Sequence, residues 1–185
     1  GKTNIAESLI YLAFLSSHRV ANNVPLISLG NQQAIIRAEV QRDERTLQID
    51  LEINASKANR ARINGNPTRS QRELLGAIQI VYFSPEDLDL VRGEPGNRRD
   101  FLDRLLITRT PRLAGVIADY ERVVKQRNAL LKTRTSAAAL VPWNEQLIKL
   151  GAELTAERIA LVDVLNPWVV KNYANLNEVK PASIS

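Results

Sequence analysis

Cysteine and methionine are both absent from this 185-residue chain, and histidine occurs once, at His18. Without cysteine there is no disulfide framework and no thiolate metal site. A single histidine excludes a histidine-based metal cluster or catalytic triad within the chain and leaves His18 a local hydrogen bond as its expected role. No apolar run is long enough to cross a bilayer, and no signal-peptide pattern is visible. These absences point to a cytoplasmic protein with no membrane partner. The lack of methionine means that the chain does not open on an initiator, so a fragment or a processed product is expected. Internal repeats and low-complexity segments are missing as well.

What is present is ordinary globular composition, 44% hydrophobic and 24% charged, with a net charge of +5 that is unevenly placed. Between Arg98 and Arg134 stand ten Arg or Lys against four Asp or Glu, an excess of six, so the remainder of the chain is close to neutral. A concentrated basic region attracts polyanions and speeds their encounter. A solvated helix surface with ordinary ion pairs accounts for the same charges.

Hydrophobic periodicity divides the chain near position 84. Ile5, Leu9, Leu12 and Ala13 recur at helical spacing. Residues 34–40 and 46–53 alternate apolar and polar side chains, the pattern of half-buried strands, with a polar turn at Arg42–Arg45 that predicts an antiparallel hairpin. Residues 60–63 read as a further short strand, and Asn64-Gly65 signals a tight turn. Ser70, with Glu73 three residues on, predicts a capped short helix through Leu75. The apolar run Ile78–Phe83 predicts a buried strand.

From Pro85 onward the pattern is helical. Leu113, Ile117, Tyr120, Val124 and Leu131 form one stripe, with Arg127 in its gap. Leu147, Leu150, Leu154, Leu161, Leu165 and Trp168 form a second, broken at Glu157. Two long helices joined by 133–142 are expected to make an antiparallel hairpin whose stripes serve packing. Pro167 is expected to end or kink the second helix, and Pro181 marks a further break.

Two stretches carry chemistry. Gly1-Lys2-Thr3 matches the end of the phosphate-binding loop G-x-x-x-x-G-K-[ST], and the helical spacing that follows is what such a loop requires. Phosphate would then sit at a helix N-terminus, with Lys2 reaching the β- and γ-phosphates and Thr3 holding magnesium. Taken alone, the tripeptide fits equally a helix start with a solvated Lys2. The second stretch, 84–103, fixes some dozen residues at set offsets: Ser84-Pro85-Glu86-Asp87-Leu88, then Gly93-Glu94-Pro95, then Arg98-Arg99-Asp100-Phe101-Leu102-Asp103. Pro85 and Pro95 suit helix first turns, and Gly93 suits the stop between them.

This second stretch closely resembles the signature of the RecF recombination and repair proteins, with Glu94 as its one departure. The resemblance extends to Gly1-Lys2-Thr3-Asn4, to Ser17-His18-Arg19 and to residues 120–132, and so spans nearly all of the chain. It implies an α/β fold, a partial P-loop NTPase of the ABC-ATPase-head type, with a helical arm. Residues 1–84 would be the partial head and 85–185 the arm. ATP and Mg2+ are the implied cofactors, bound at Gly1, Lys2 and Thr3. Glu86 and Asp87 lie where related heads contact magnesium and sense nucleotide, although acids at a helix N-terminus also favour the dipole.

Arg98, Arg99, Arg104, Arg109 and Arg112 become candidates for DNA binding or head–arm coupling, with Asp100 and Asp103 as partners that would make Arg98 and Arg99 structural. The implied function is ATP-dependent binding of single-stranded and gapped DNA in recombinational repair and replication restart, promoting recombinase loading and the SOS response. RecR, RecO and an ATP-dependent homodimer are the implied partners. A Ser-x-Gly-type nucleotide signature and an acidic strand end, which the resemblance also implies, are not in this sequence. An ATPase head of a chromosome-organising protein and a nucleotide-independent helical interaction module are the alternatives.

Overall fold

A computed structural model describes residues 2–17, 19–20, 22–42, 44–133 and 136–175, without the side chains of Arg42 and Glu86. Gly1, His18, Arg134 and Pro181 lie outside the described residues. The chain divides into two compact units. One runs up to Asp89 and includes Ile107–Pro111; the other comprises Leu90–Leu106 and the described residues from Arg112 onward.

The first unit is built on helix α1 (Lys2–Phe14) and an antiparallel sheet ordered β1 (Gln33–Arg42), β2 (Arg45–Asn54), β3 (Arg60–Ile63) and β4 (Asn66–Pro67). The alternation in the sequence sets the register: Ile36 lies opposite Leu51 and Ala38 opposite Ile49, so one face of the β1–β2 pair is apolar from Ala34 to Val40. Ile49, Leu51, Ile53 and Ala61 bury that face together with Tyr11 and Leu12 of α1 and with Leu74. Each fully buried Leu or Ile contributes about 1.5–3 kcal/mol, so this cluster carries the unit.

Asn64 and Gly65 both have positive φ, 50° and 78°, which makes the β3–β4 connection the primed hairpin turn expected from Asn-Gly. The Asn64 side chain also accepts from the Gln48 backbone at 2.9 Å, tying the turn to β2. Ser70 and Glu73 form the expected capping box on the 3-10 turn Gln71–Leu74.

A polar network crosses the edge of this core. The Tyr11 hydroxyl donates to Asn23 Oδ1 at 2.9 Å and accepts from Asn59 Nδ2 at 3.0 Å. Asn59 donates also to Gln71 Oε1 and accepts from the Asn54 backbone, each at 3.0 Å. Burial raises the Tyr11 pKa against the lowering effect of these hydrogen bonds. The network fastens α1, the loop after it and the β2–β3 connection to one another.

Residues 78–83 do not form the expected buried strand. A single bridge joins Leu75 to Ile78, and Val81 and Phe83 are 103% and 82% exposed. A strand needs a neighbour for its backbone N–H and C=O groups, and among the described residues none lies beside this run. Its apolar composition is therefore not matched by burial. Tyr82 does pack near Phe14, with ring centroids 6.5 Å apart.

The second unit contains most of α2 (Asp89–Arg92), α3 (Pro95–Arg109) as far as Leu106, and all of α4 (Leu113–Lys132) and α5 (Ala137–Ala174). Gly93 separates α2 from α3, and Pro95 opens α3, as its fixed φ and missing N–H allow. Helices α4 and α5 pack together, burying Leu113, Ile117 and Val123 on α4 and Leu154 and Leu161 on α5. Leu131 is instead 46% exposed and Trp168 60% exposed, so the packed stripes are shorter than their periodicity. Arg127, in the gap of the first stripe, donates to Asn144 Oδ1 at 2.7 Å.

Ser136 caps α5 by accepting from the Ala139 backbone. Pro142 and Pro167 both lie inside this 38-residue helix, and neither ends it. Each proline removes one backbone bond, at a cost of about 3 kcal/mol or more. Extending a helix already nucleated is cheap by comparison with starting one, which lets α5 continue past Pro167 to Ala174.

Candidate phosphate-binding and DNA-binding residues

Helix α1 starts at Lys2, and its first turn contains no acidic residue to neutralise the dipole. Lys2, Thr3 and Asn4 are exposed. The first four N–H groups of a helix have no intrahelical partner, so this terminus offers donors beside an ammonium and a hydroxyl. That donor set fits phosphate. No group of three or more His, Cys, Asp or Glu that could hold a metal occurs among the described residues. The Thr3 hydroxyl is the group at this end of the chain that would hold a magnesium ion.

The RecF-like Ser-His-Arg run returns to the same helix. Ser17 Oγ donates to Glu7 Oε1 at 2.6 Å, and Arg19 Nη1 lies 3.7 Å from Glu7 Oε2. Two members of the motif therefore hold the loop after α1 against its middle.

Glu86 and Asp87 lie in the 3-10 turn Pro85–Leu88. Asp87 Oδ2 accepts from the Ser84 backbone at 2.7 Å and from its hydroxyl at 3.4 Å. This is a local cap, and it commits the Asp87 carboxylate to the turn in this conformation.

The five candidate arginines differ in their engagement. Arg98 donates from Nη1 to the Leu90 and Gly93 carbonyls, both at 3.2 Å, and so satisfies acceptors at the C-terminal end of α2. Arg99 is exposed. Arg104 is half-buried, and Arg109 is exposed in the first unit. Arg112 is paired with Glu153 at 2.8 Å and Glu157 at 3.4 Å, and the hydrogen bond to Glu153 raises its already high pKa.

Asp103 is not engaged with Arg98 or Arg99, the alternative that would make those arginines structural. It accepts two hydrogen bonds from Arg158 of α5, at 2.8 and 2.7 Å. One helical turn separates residues only three or four apart, whereas this partner is 55 residues away, so local spacing could not reveal it. The break in the α5 stripe at Glu157 marks a different pair, since Glu157 lies 3.4 Å from Arg112. The Tyr11–Asn59 network had no signal in the sequence either, because lone Asn and Gln residues read as loop.

No family model matches the chain. Among solved structures, the recombination mediator protein RecF of the RecFOR pathway with ATP aligns with TM-score 0.86, covering 96% of this chain and 49% of that one at 24% identity. Its ATPγS counterpart aligns with TM-score 0.88 at the same identity and coverage. The fold is accordingly that of the matching half of these RecF structures, with a helix and an antiparallel sheet in one unit and helices in the other.

Curated relatives agree in sequence. The chain is 48% identical over 186 residues to the DNA replication and repair protein RecF of Streptomyces avermitilis, covering 95% of this chain and 50% of that protein. It is 49% identical over 176 residues to RecF of Kineococcus radiotolerans, covering 90% and 45%. The chain is thus similar to RecF proteins along nearly its whole length and spans about half the length of the curated relatives it matches.

Proposed function

We infer that this chain is the head-and-arm portion of an ATP-dependent DNA-binding protein of recombinational repair and replication restart. The observation that carries this is the 48% identity to a RecF protein along 95% of the chain. The sheet-bearing unit is read as the partial ATPase head and the helical unit as the arm. Lys2 and the N–H groups opening α1 would bind the ATP phosphates, and Thr3 would hold Mg2+, as the fit of these groups to phosphate supports. Bound nucleotide supplies the phosphoanhydride whose hydrolysis can open a head dimer; this chain's residues bind and orient it. Glu86 and Asp87 are proposed as sensors.

The substrates on this reading are single-stranded and gapped DNA, held through phosphates by exposed basic residues such as Arg99 and Arg109. RecR, RecO and a second head joined through ATP would be the partners, with recombinase loading and the SOS response as outcomes in the cytoplasm. Among the described residues no helix is long and apolar enough to cross a membrane. The arm turns back after the 20 residues of α4, which argues against the far longer arm of a chromosome-organising head.

Calorimetric titration with ATP and magnesium tests the phosphate site, using a protein of the relatives' full length that carries this sequence. Binding is expected, with its loss in Lys2→Ala. Equal affinity in both proteins would contradict the assignment.

A further inference from the structure

The strand register places charge on the outer face of the sheet in rows. Arg37 of β1, Asp50 of β2 and Arg62 of β3 lie side by side, and Glu52 lies beside Arg60 in the neighbouring row. These residues, with Arg69 beyond β4, line an open groove of about 490 Å³. Four arginines against two carboxylates leave two positive charges in surplus there.

Cross-strand charge pairing stabilises sheets and could by itself explain such rows. The geometry is against that as the whole explanation. Among the described residues, Arg37 alone of the four reaches a carboxylate, Asp50, at 3.4 Å. Glu52 is turned to Asn54, whose Nδ2 donates to it at 3.1 Å. Arg60, Arg62 and Arg69 are exposed and have no ion-pair partner among the described residues.

We propose that this groove binds the phosphodiester backbone of a nucleic acid strand, as a second binding surface on the sheet-bearing unit. The inference rests on the DNA-binding reading above and adds a site to it. Arg60 and Arg62 are two residues apart on one strand, about 7 Å, and Arg37 lies two strands across from Arg62, about 10 Å. Charges spread over that span match successive backbone phosphates better than a single phosphate group. The groove is lined by no aromatic residue, so it offers no platform for base stacking and reads the backbone without regard to sequence. Guanidinium forks suit phosphate oxygens in this role.

The test uses the whole chain and a fluorescein-labelled single-stranded oligonucleotide, with anisotropy measured across salt concentrations. The variant R60Q/R62Q/R69Q is expected to lose at least tenfold in affinity. Its plot of log affinity against log salt should flatten by about 2, at roughly 0.7 for each phosphate that is no longer neutralised. The variant D50N/E52Q is expected to bind more tightly than the parent, a gain that misfolding cannot imitate. Removing three exposed charges elsewhere, R45Q/K57Q/R72Q, should leave the slope nearly unchanged.

Equal losses in the groove and control variants would overturn the proposal. If the arm variant R99Q/K125Q/K132Q then lost binding, the DNA-binding reading would stand without the groove. A parent chain with no oligonucleotide affinity would overturn both. A groove variant that loses inorganic triphosphate but keeps the oligonucleotide would also overturn it, since the site would then take free phosphate.

Discussion

Arg158 holds Asp103 through Nε and Nη2 of its guanidinium, at 2.8 and 2.7 Å, and the two side chains are only 19% and 13% exposed. Asp103 closes the Arg-Arg-x-Phe-Leu-Asp run, so the most family-specific stretch of the sequence ends in a tie from α3 to α5. Paired and parallel hydrogen bonds of this kind are stronger than single ones and fix orientation as well as distance. Losing either partner leaves a partly buried charge unmatched. Asp103→Ala or Arg158→Ala is expected to lower stability by about 2 kcal/mol, between the values for exposed and for fully buried pairs. Urea unfolding of the single and double variants checks this, and the double variant should lose less than the sum of the singles.

Glu121 of α4 is affected by the same neighbourhood. Partial desolvation raises its carboxyl pKa, and the nearby charges of Asp100 and Asp103 raise it further. An acid whose pKa is higher in the folded state binds more protons there than in the unfolded chain. Stability therefore falls as pH rises through that range. Glu121→Gln is expected to stabilise the chain at pH 7, with the gain fading on acidification below the ordinary carboxylate range. The gain should be modest, because solvent screens a group this exposed. Unfolding midpoints across pH for the parent and the variant decide the matter; a gain that grows on acidification would show the opposite sign.

Arg98 and Arg99 are adjacent in sequence and separable in role. Arg98 satisfies two carbonyls at the end of α2, so Arg98→Ala is expected to cost about 1–2 kcal/mol, in line with hydrogen bonds from a charged donor. Arg99 is exposed, and Arg99→Ala should stay within about 0.5 kcal/mol of the parent. Any loss of DNA affinity beyond the change in stability should then appear in the Arg99 variant. Thermal melts beside oligonucleotide anisotropy separate the two.

Local rules in the sequence foretold much of this fold. Alternation gave the β1–β2 hairpin, Asn64-Gly65 gave its own turn, and Ser70 with Glu73 gave a capping box, because each depends on residues a few positions apart. Residues 78–83 depart from their pattern, since an apolar run says that a strand can form and not that a neighbour is present to pair with it. Candidate site residues were offered where a motif fixes residue types, at Lys2, Thr3 and 84–103. The sequence was not legible where function or stability depends on distant partners: the Asp103–Arg158 tie, the Tyr11–Asn59 network and the groove arginines, which share a face only after the strands pair. The prolines of α5 show the same limit, since a local breaker signal was outweighed by the helix around it.

The coupling of nucleotide to DNA is the most direct test of the proposed function. Affinity for a gapped oligonucleotide would be measured with and without ATP and magnesium, for a full-length protein carrying this sequence and for its Lys2→Ala variant. ATP should tighten DNA binding by tenfold or more in the parent, the scale of an ordinary coupling free energy, and should have no effect in Lys2→Ala. DNA affinity that is the same in all four conditions would contradict an ATP-dependent DNA-binding role for this chain.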